Sequence, residues 1–206
     1  MITKEREIAG KKMRLETGRV ARQSNGSVMV TYGETTILAA VNAAKEPRED
    51  IYLFPLQVEY REKHYAGGKI PGGLFKREAR PAEHEVLTSR VTDRPIRPLF
   101  PKGFKNETQI VITVLQSDGE NMADVLAGVG ASAALMTSKI TWNGPLESVR
   151  VGRIDGECSI SPARSESMDC DMEMLVSGNQ ETVVMVEGEA NGATESDILD
   201  GLKRAH

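Results

Sequence analysis

From Ile70 to Pro101 the chain reads IPGGLFKREARPAEHEVLTSRVTDRPIRPLFP, and the rest of the sequence is read outward from it. Four glycines fall between Gly67 and Gly73. Glycine there permits positive φ and lets backbone approach a ligand closely, although an ordinary connecting loop has the same composition. Phe75, Lys76, Arg77 and Arg80 follow at once. Guanidinium groups hold phosphate oxygens at two points and an aromatic ring stacks on a base, so this loop has the chemistry of a grip on single-stranded nucleic acid. Pro81 suits a helix start, and AEHEVLTSRVTDR then places acids first and arginines last, as the helix dipole favours. Val86, Leu87 and Val91 give it a modest apolar face, and Arg90 and Arg94 share one side. Pro95 is expected to end the helix, and Pro95–Pro101, with its three prolines, to be irregular. The opposing reading keeps Phe75 in a core, pairs Arg90 and Arg94 with Glu83, Asp93 or the acidic last third, and packs Arg94 and Arg97 into a proline corner. Both readings stay open on the residues alone.

Charge is distributed unevenly around this stretch. The net charge of the 206 residues is −4, yet Arg61–Lys105 holds eleven basic residues against five acidic ones. Residues 151–206 hold four basic and twelve acidic residues. An acidic protein with one basic segment is built to attract a polyanion there and repel it elsewhere, unless the segment is simply a solvated helix face.

The first third reads as β-structure, with strands expected over 19–23, 27–32, 36–41 and 53–60, and hairpin signals at Asn25-Gly26 and Gly33. Downstream, 108–116 reads as a buried strand and 123–139 as a helix rich in small residues, able to pack closely on a sheet. Short strands follow over 150–154, 157–160, 172–176 and 182–186. A helix over 194–205 has Thr194 as N-cap. It stops at His206 without a C-cap, so the chain is expected to be cut in mid-element.

Several function classes are excluded or weakened. The longest uncharged helical stretch, 125–136, is too short to cross a bilayer, and the start lacks the apolar core of a signal peptide. Cys158 and Cys170 lack CxxC spacing and read as ordinary thiols, and three histidines without metal-ligand spacing do not suggest zinc. The location expected is cytoplasmic. Asp169, Asp171 and Glu173 alternate, which on a strand puts three carboxylates on one face; such a row holds a hard divalent cation or is a solvated face. The acids Asp118, Glu120 and Asp124 argue against phosphate at the start of the long helix.

The quoted run closely resembles the signature of the polynucleotide phosphorylase family, in its first ribonuclease PH-like domain. LETGRVARQSNGSVMVTYGETTILAAV, FPLQVEYREKHYAGGKIPGG, GASAALMTSKITWNGP and VSGNQETVVMVEGEA agree in order, so the resemblance runs from about Leu15 to His206. It implies an α+β fold of the ribosomal protein S5 domain 2-like kind, a mixed β-sheet packed with helices, occupying 1–206 and ending before helical and second, catalytic domains. For the parent protein it implies processive 3′ to 5′ phosphorolysis of mRNA with release of nucleoside diphosphates. It also implies inorganic phosphate as co-substrate, Mg²⁺ or Mn²⁺, a homotrimeric ring around single-stranded RNA, and partners such as a helicase or endonuclease.

The family's channel loop matches Leu74, Phe75, Lys76 and Arg77 with Arg80 close by, and Arg90, Arg94 and Arg97 follow as candidates to line the path. Leu74 and Lys76 stand where an aromatic and an arginine are common. The resemblance assigns no catalytic or metal residue to this chain: Met122-Ala123-Asp124 replaces the serine run of a catalytic copy. The alternatives are a standalone phosphorolytic exoribonuclease using Asp169, Asp171 or Glu173, and an assembly scaffold that touches no RNA.

Overall fold

A computed structural model describes residues 1–49, 51–72, 78 and 80–206. Ten strands and four helices follow one another as β1 (Ile2–Ile8), β2 (Lys11–Thr17), β3 (Gly26–Tyr32), β4 (Thr35–Pro47), β5 (Leu56–Glu62), α1 (Glu83–Ile96), β6 (Asn106–Gln116), α2 (Ala123–Met136), β7 (Glu147–Ile154), β8 (Glu157–Ile160), α3 (Arg164–Ser167), β9 (Met172–Gly178), β10 (Val183–Ala190) and α4 (Glu195–Ala205). The strands form two sheets. Sheet A has the order β1-β2-β3-β4-β6-β5, and sheet B the order β10-β9-β7-β8. Sheet A is mixed, because β5 pairs with β6 in parallel while its other neighbours are antiparallel. This is the α+β class expected from the sequence, with the strands divided between two sheets.

The helix α2 lies between the sheets. Its composition is small and apolar, and residues 125–132 are all buried. A side chain at Gly130 would come within 2.9 Å of Ile37 on sheet A, and one at Gly128 would run into Ser148 on sheet B. The two glycines therefore let one helix approach both sheets, and the main core of Val30, Ile37, Ala39, Ile110, Ile112 and Leu126 closes around it. On the far side of sheet B, α4 packs Ile198 and Leu202 on Met172, Met174 and Val176.

Several expectations are corrected. Residues 19–23 are a turn, not a strand: Ala21 has φ +50°, and Ser24 returns both its amide and its hydroxyl to the Ala21 carbonyl. The β1–β2 hairpin is not among the expected elements, because its turn is Ala9-Gly10 rather than an Asn-Gly or Asp-Gly pair, although both residues take the positive φ that such turns need. Pro95 does not end α1. It occupies the last turn, where only one backbone bond is forgone, and the chain continues through a 3₁₀ turn over Arg97–Leu99.

The parallel strand β5 is an edge, and α1 closes it with side chains. The Tyr60 amide donates to Ser89 Oγ at 3.0 Å and the Glu62 amide to Glu85 Oε1 at 2.7 Å. Arg97 donates to the carbonyls of Phe54 (2.9 Å) and Leu56 (3.1 Å). Unpaired strand edges invite further strands, and covering them is a common defence.

Candidate functional site

The basic segment lies on and before α1. Of the residues singled out in the sequence, Phe75, Lys76 and Arg77, with Leu74, fall outside the described residues. After them, Glu78 accepts from the His64 amide at 2.6 Å and from His64 Nδ1 at 2.7 Å, with Lys63 3.4 Å away. The bonds from His64, chiefly its amide, hold the Glu78 carboxyl at about 2. Arg80 is exposed just before α1.

The three arginines of the helix and its exit have different fates. Arg90 is exposed beside a groove of about 350 Å³ between β5 and α1, with Arg61, Gln57 and Asp93 in its walls. Among the described residues neither Arg80 nor Arg90 has a carboxylate within ion-pair distance. Arg94 reaches Glu187 on β10 at 2.6 Å, which is the pairing with the acidic last third that the opposing reading foresaw. Arg97 is committed to the fold. Its guanidinium sets two points on Asp93 one turn earlier (2.8 and 2.9 Å), holds the carbonyls of Phe54 and Leu56 at the start of β5, and lies 5.7 Å over the Phe54 ring. Among the described residues, the cations of this element without an ion pair are therefore Arg80 and Arg90.

The start of α2 offers nothing to an anion. Asp118 accepts from the amides of Glu120 (2.9 Å) and Asn121 (2.8 Å) and from the Thr35 hydroxyl (3.0 Å). Burial works to raise its pKa, but these bonds together outweigh it and hold the carboxyl at about 2. In the first turn of the helix, Asp124 is joined to Arg150, whose other nitrogen is joined to Glu173. The side chain of Arg150 is 14% exposed, so this is a half-buried cation held between two carboxylates.

The row of alternating acids is taken apart in the same way. Glu173 belongs to Arg150, whereas Asp171 pairs with Arg153 (3.2 Å) on the other side of the sheet, where Arg153 also holds Asp197 of α4 (2.6 Å). Asp169 is exposed. Among the described residues no three His, Cys, Asp or Glu side chains come together as a metal site. The acids on this row therefore do not fit a divalent cation, and Asp124 does not fit phosphate. Reading the sequence alone missed these partners, although arginines three apart on one strand facing acids on the next strand were the available signal. It also missed a cavity of about 580 Å³ lined by Met13, Leu15, Val125, Leu126 and Glu147, because its walls come from elements distant in sequence.

No helix of the described residues is long and apolar enough to cross a membrane. The model of the 3′ exoribonuclease family, domain 1, matches residues 9–141, and that of domain 2 matches residues 144–206. That boundary falls between α2 and sheet B. The polyribonucleotide nucleotidyltransferase of Thermomicrobium roseum is 52% identical over 200 residues, which is 97% of this chain and 25% of that protein. Its counterpart in Rhizobium meliloti is 53% identical over 193 residues, 94% of this chain and 27% of that protein. The chain thus spans about a quarter of the length of the curated relatives it matches. Rice Rrp46 shares the fold with a TM-score of 0.72 at 16% identity, over 92% of this chain and 85% of that one. An Archaeoglobus fulgidus exosome structure, with RNA bound to its active site, gives 0.69 at 18% identity over 98% and 85%. With two family models together covering nearly all of the sequence and the relatives at half identity, the chain belongs to the 3′ exoribonuclease family, as a ribonuclease PH-like domain of the polynucleotide phosphorylase type.

Proposed function

We propose that this chain is the first, non-catalytic ribonuclease PH-like domain of a polynucleotide phosphorylase, working in the cytoplasm. The parent protein shortens mRNA from the 3′ end with inorganic phosphate and a divalent ion such as Mg²⁺, releasing nucleoside diphosphates. This domain builds the trimeric ring and guides single-stranded RNA through the pore, past Phe75, Lys76, Arg77, Arg80 and Arg90, while the chemistry belongs to residues in another domain. Helicase or endonuclease partners fit the same reading. The observation that carries the non-catalytic assignment is Arg150. Its guanidinium holds Asp124 and Glu173, so the start of α2 presents carboxylates where phosphate needs donors, and neither acid is free for a metal.

Two measurements test it. The purified 206-residue chain, given poly(A), phosphate and Mg²⁺, is expected to release no nucleoside diphosphate; phosphate-dependent release refutes the non-catalytic assignment. Binding of a single-stranded oligoribonucleotide across a salt series is expected to be steeply salt-dependent, and to flatten in Arg77→Glu/Arg80→Glu by about 0.7 in log–log slope for each phosphate no longer neutralised. Coincident curves for the two proteins remove the loop from the RNA path.

A further inference from the structure

The two sheets have four edges, β1 and β5 in sheet A and β8 and β10 in sheet B. Exposed edges recruit other strands unless something prevents it, and three of the four carry a defence. The strand β1 places Lys4, Glu5, Arg6 and Glu7 in seven residues. The backbone of β5 is taken by Ser89, Glu85 and Arg97, as described above, and β8 is only four residues long. The strand β10 is different. It runs for eight residues with no lysine or proline, its only charges are the glutamates Glu187 and Glu189, all of one sign, and Val186–Ala190 are exposed in succession. Its bulge, between Val183 and Met185, disturbs only the start.

The direction of its hydrogen bonds is fixed by the continuation of the ladder. The Asn191 amide donates to the Asp171 carbonyl at 2.7 Å, so the alternate pairs Glu189–Glu173 and Glu187–Leu175 exchange the bonds with β9. The amides and carbonyls of Val186, Gly188 and Ala190 then point away from the sheet, and none is met by another group among the described residues. Side chains sort by face. Val186 stands opposite Val176, on the face that α4 covers, whereas Glu187 and Glu189 stand opposite Leu175 and Glu173, on the face of α1 and α2.

We propose that the β10 edge accepts an extended segment of a partner protein as a fifth strand of sheet B, with basic side chains beside Glu187 and Glu189 and apolar ones beside Val186 and Ala190. Main-chain bonds supply the affinity in such additions and alternate side chains the specificity. Charge selects the occupant. A second copy pairing antiparallel about Gly188 would set Glu187 opposite Glu189, and like charges directly opposite are unfavourable. Arg94 answers Glu187 alone. Residues 151–206, with twelve acids against four bases, favour a cationic segment over an acidic peptide or a nucleic acid.

The test uses labelled ten-residue peptides and fluorescence anisotropy with the full chain. A peptide alternating lysine and valine is expected to bind at least tenfold more tightly than a block arrangement of the same composition, and than a glutamate–valine alternator. Methylating the peptide amides in one alternate frame is expected to abolish binding, and methylating the other frame to leave it. Glu189→Lys is expected to weaken binding about fivefold with unchanged thermal unfolding. Equal loss in both methylated frames, indifference to Glu189→Lys, no binding of the alternating peptide, or a dimer joined through β10 in sedimentation would each overturn the proposal.

Discussion

Removing the Arg97 side chain separates a structural arginine from an RNA-facing one. In Arg97→Ala the carbonyls of Phe54 and Leu56 lose their donor, at about 1 kcal/mol each for a part-exposed site. The two-point pair with Asp93, at i and i+4, adds about 0.5 kcal/mol, and the contact over Phe54 about 0.5 kcal/mol. The total is about 3 kcal/mol, equivalent to a fall in Tm of roughly 6–12 °C for a domain of this size. Arg97→Lys is expected to recover little, because an ammonium cannot reproduce the planar fork that spans Asp93 and the strand. Arg90→Ala, on the exposed side of the same helix, is expected to cost less than about 0.5 kcal/mol. Urea unfolding followed by the fluorescence of Trp142 reads this corner directly, since this sole tryptophan donates its indole N–H to the Ile96 carbonyl at 3.2 Å. If Arg97→Ala unfolds like the wild type while its RNA affinity falls, the assignment of Arg97 to the fold is wrong.

Two further outcomes follow from the ion pairs of sheet B. Arg150→Met leaves Asp124 and Glu173 facing one another without their cation, and is expected to destabilise the chain by about 3–5 kcal/mol; adding Asp124→Asn and Glu173→Gln should restore most of it, and the absence of rescue in the triple variant counts against the bridge. The Asp197 carboxyl is held at about 2, first by the Thr194 amide, then by the Thr194 hydroxyl and Arg153. Because its pKa is lowered on folding, its contribution is complete above about pH 4, the range of an ordinary aspartate, and is lost as pH falls through about 2. Asp197→Asn should flatten the stability–pH curve of α4 in that interval, measured by circular dichroism, and an unchanged curve would remove Asp197 from the acid response.

Much of the architecture is legible because hydrophobic pattern and turn chemistry agree. The strand at β6, the helix α2, the β7–β8 hairpin and the Thr194 cap all announce themselves through local signals. The β1–β2 hairpin does not, since ITKEREI and KKMRLET are strongly charged and their turn is Ala-Gly; their partner β3 gives them their role. The division into two sheets is also a tertiary fact, decided by which strands α2 touches. For the candidate site, the sequence locates the basic element but does not rank its arginines. Arg90, Arg94 and Arg97 look alike in sequence. What separates them is the company of Glu187 on a strand far along the chain and of the Phe54 and Leu56 carbonyls at the entry to β5, and neither partner leaves a periodic trace.

The position of α2 has a consequence for cooperativity. The two family-model segments, 9–141 and 144–206, look like separable halves, yet the helix that closes one face of sheet B is supplied by the first of them. Gly128 and Gly130 bring its backbone so near to both sheets that neither can move off without opening the other's packing. The second segment therefore supplies the four strands of sheet B but, for helices, only α3 and α4, and the apolar side of Leu175 and Met185 relies on Val125 and Val91 from the first. The chain is in this sense one unit of folding written as two units of sequence.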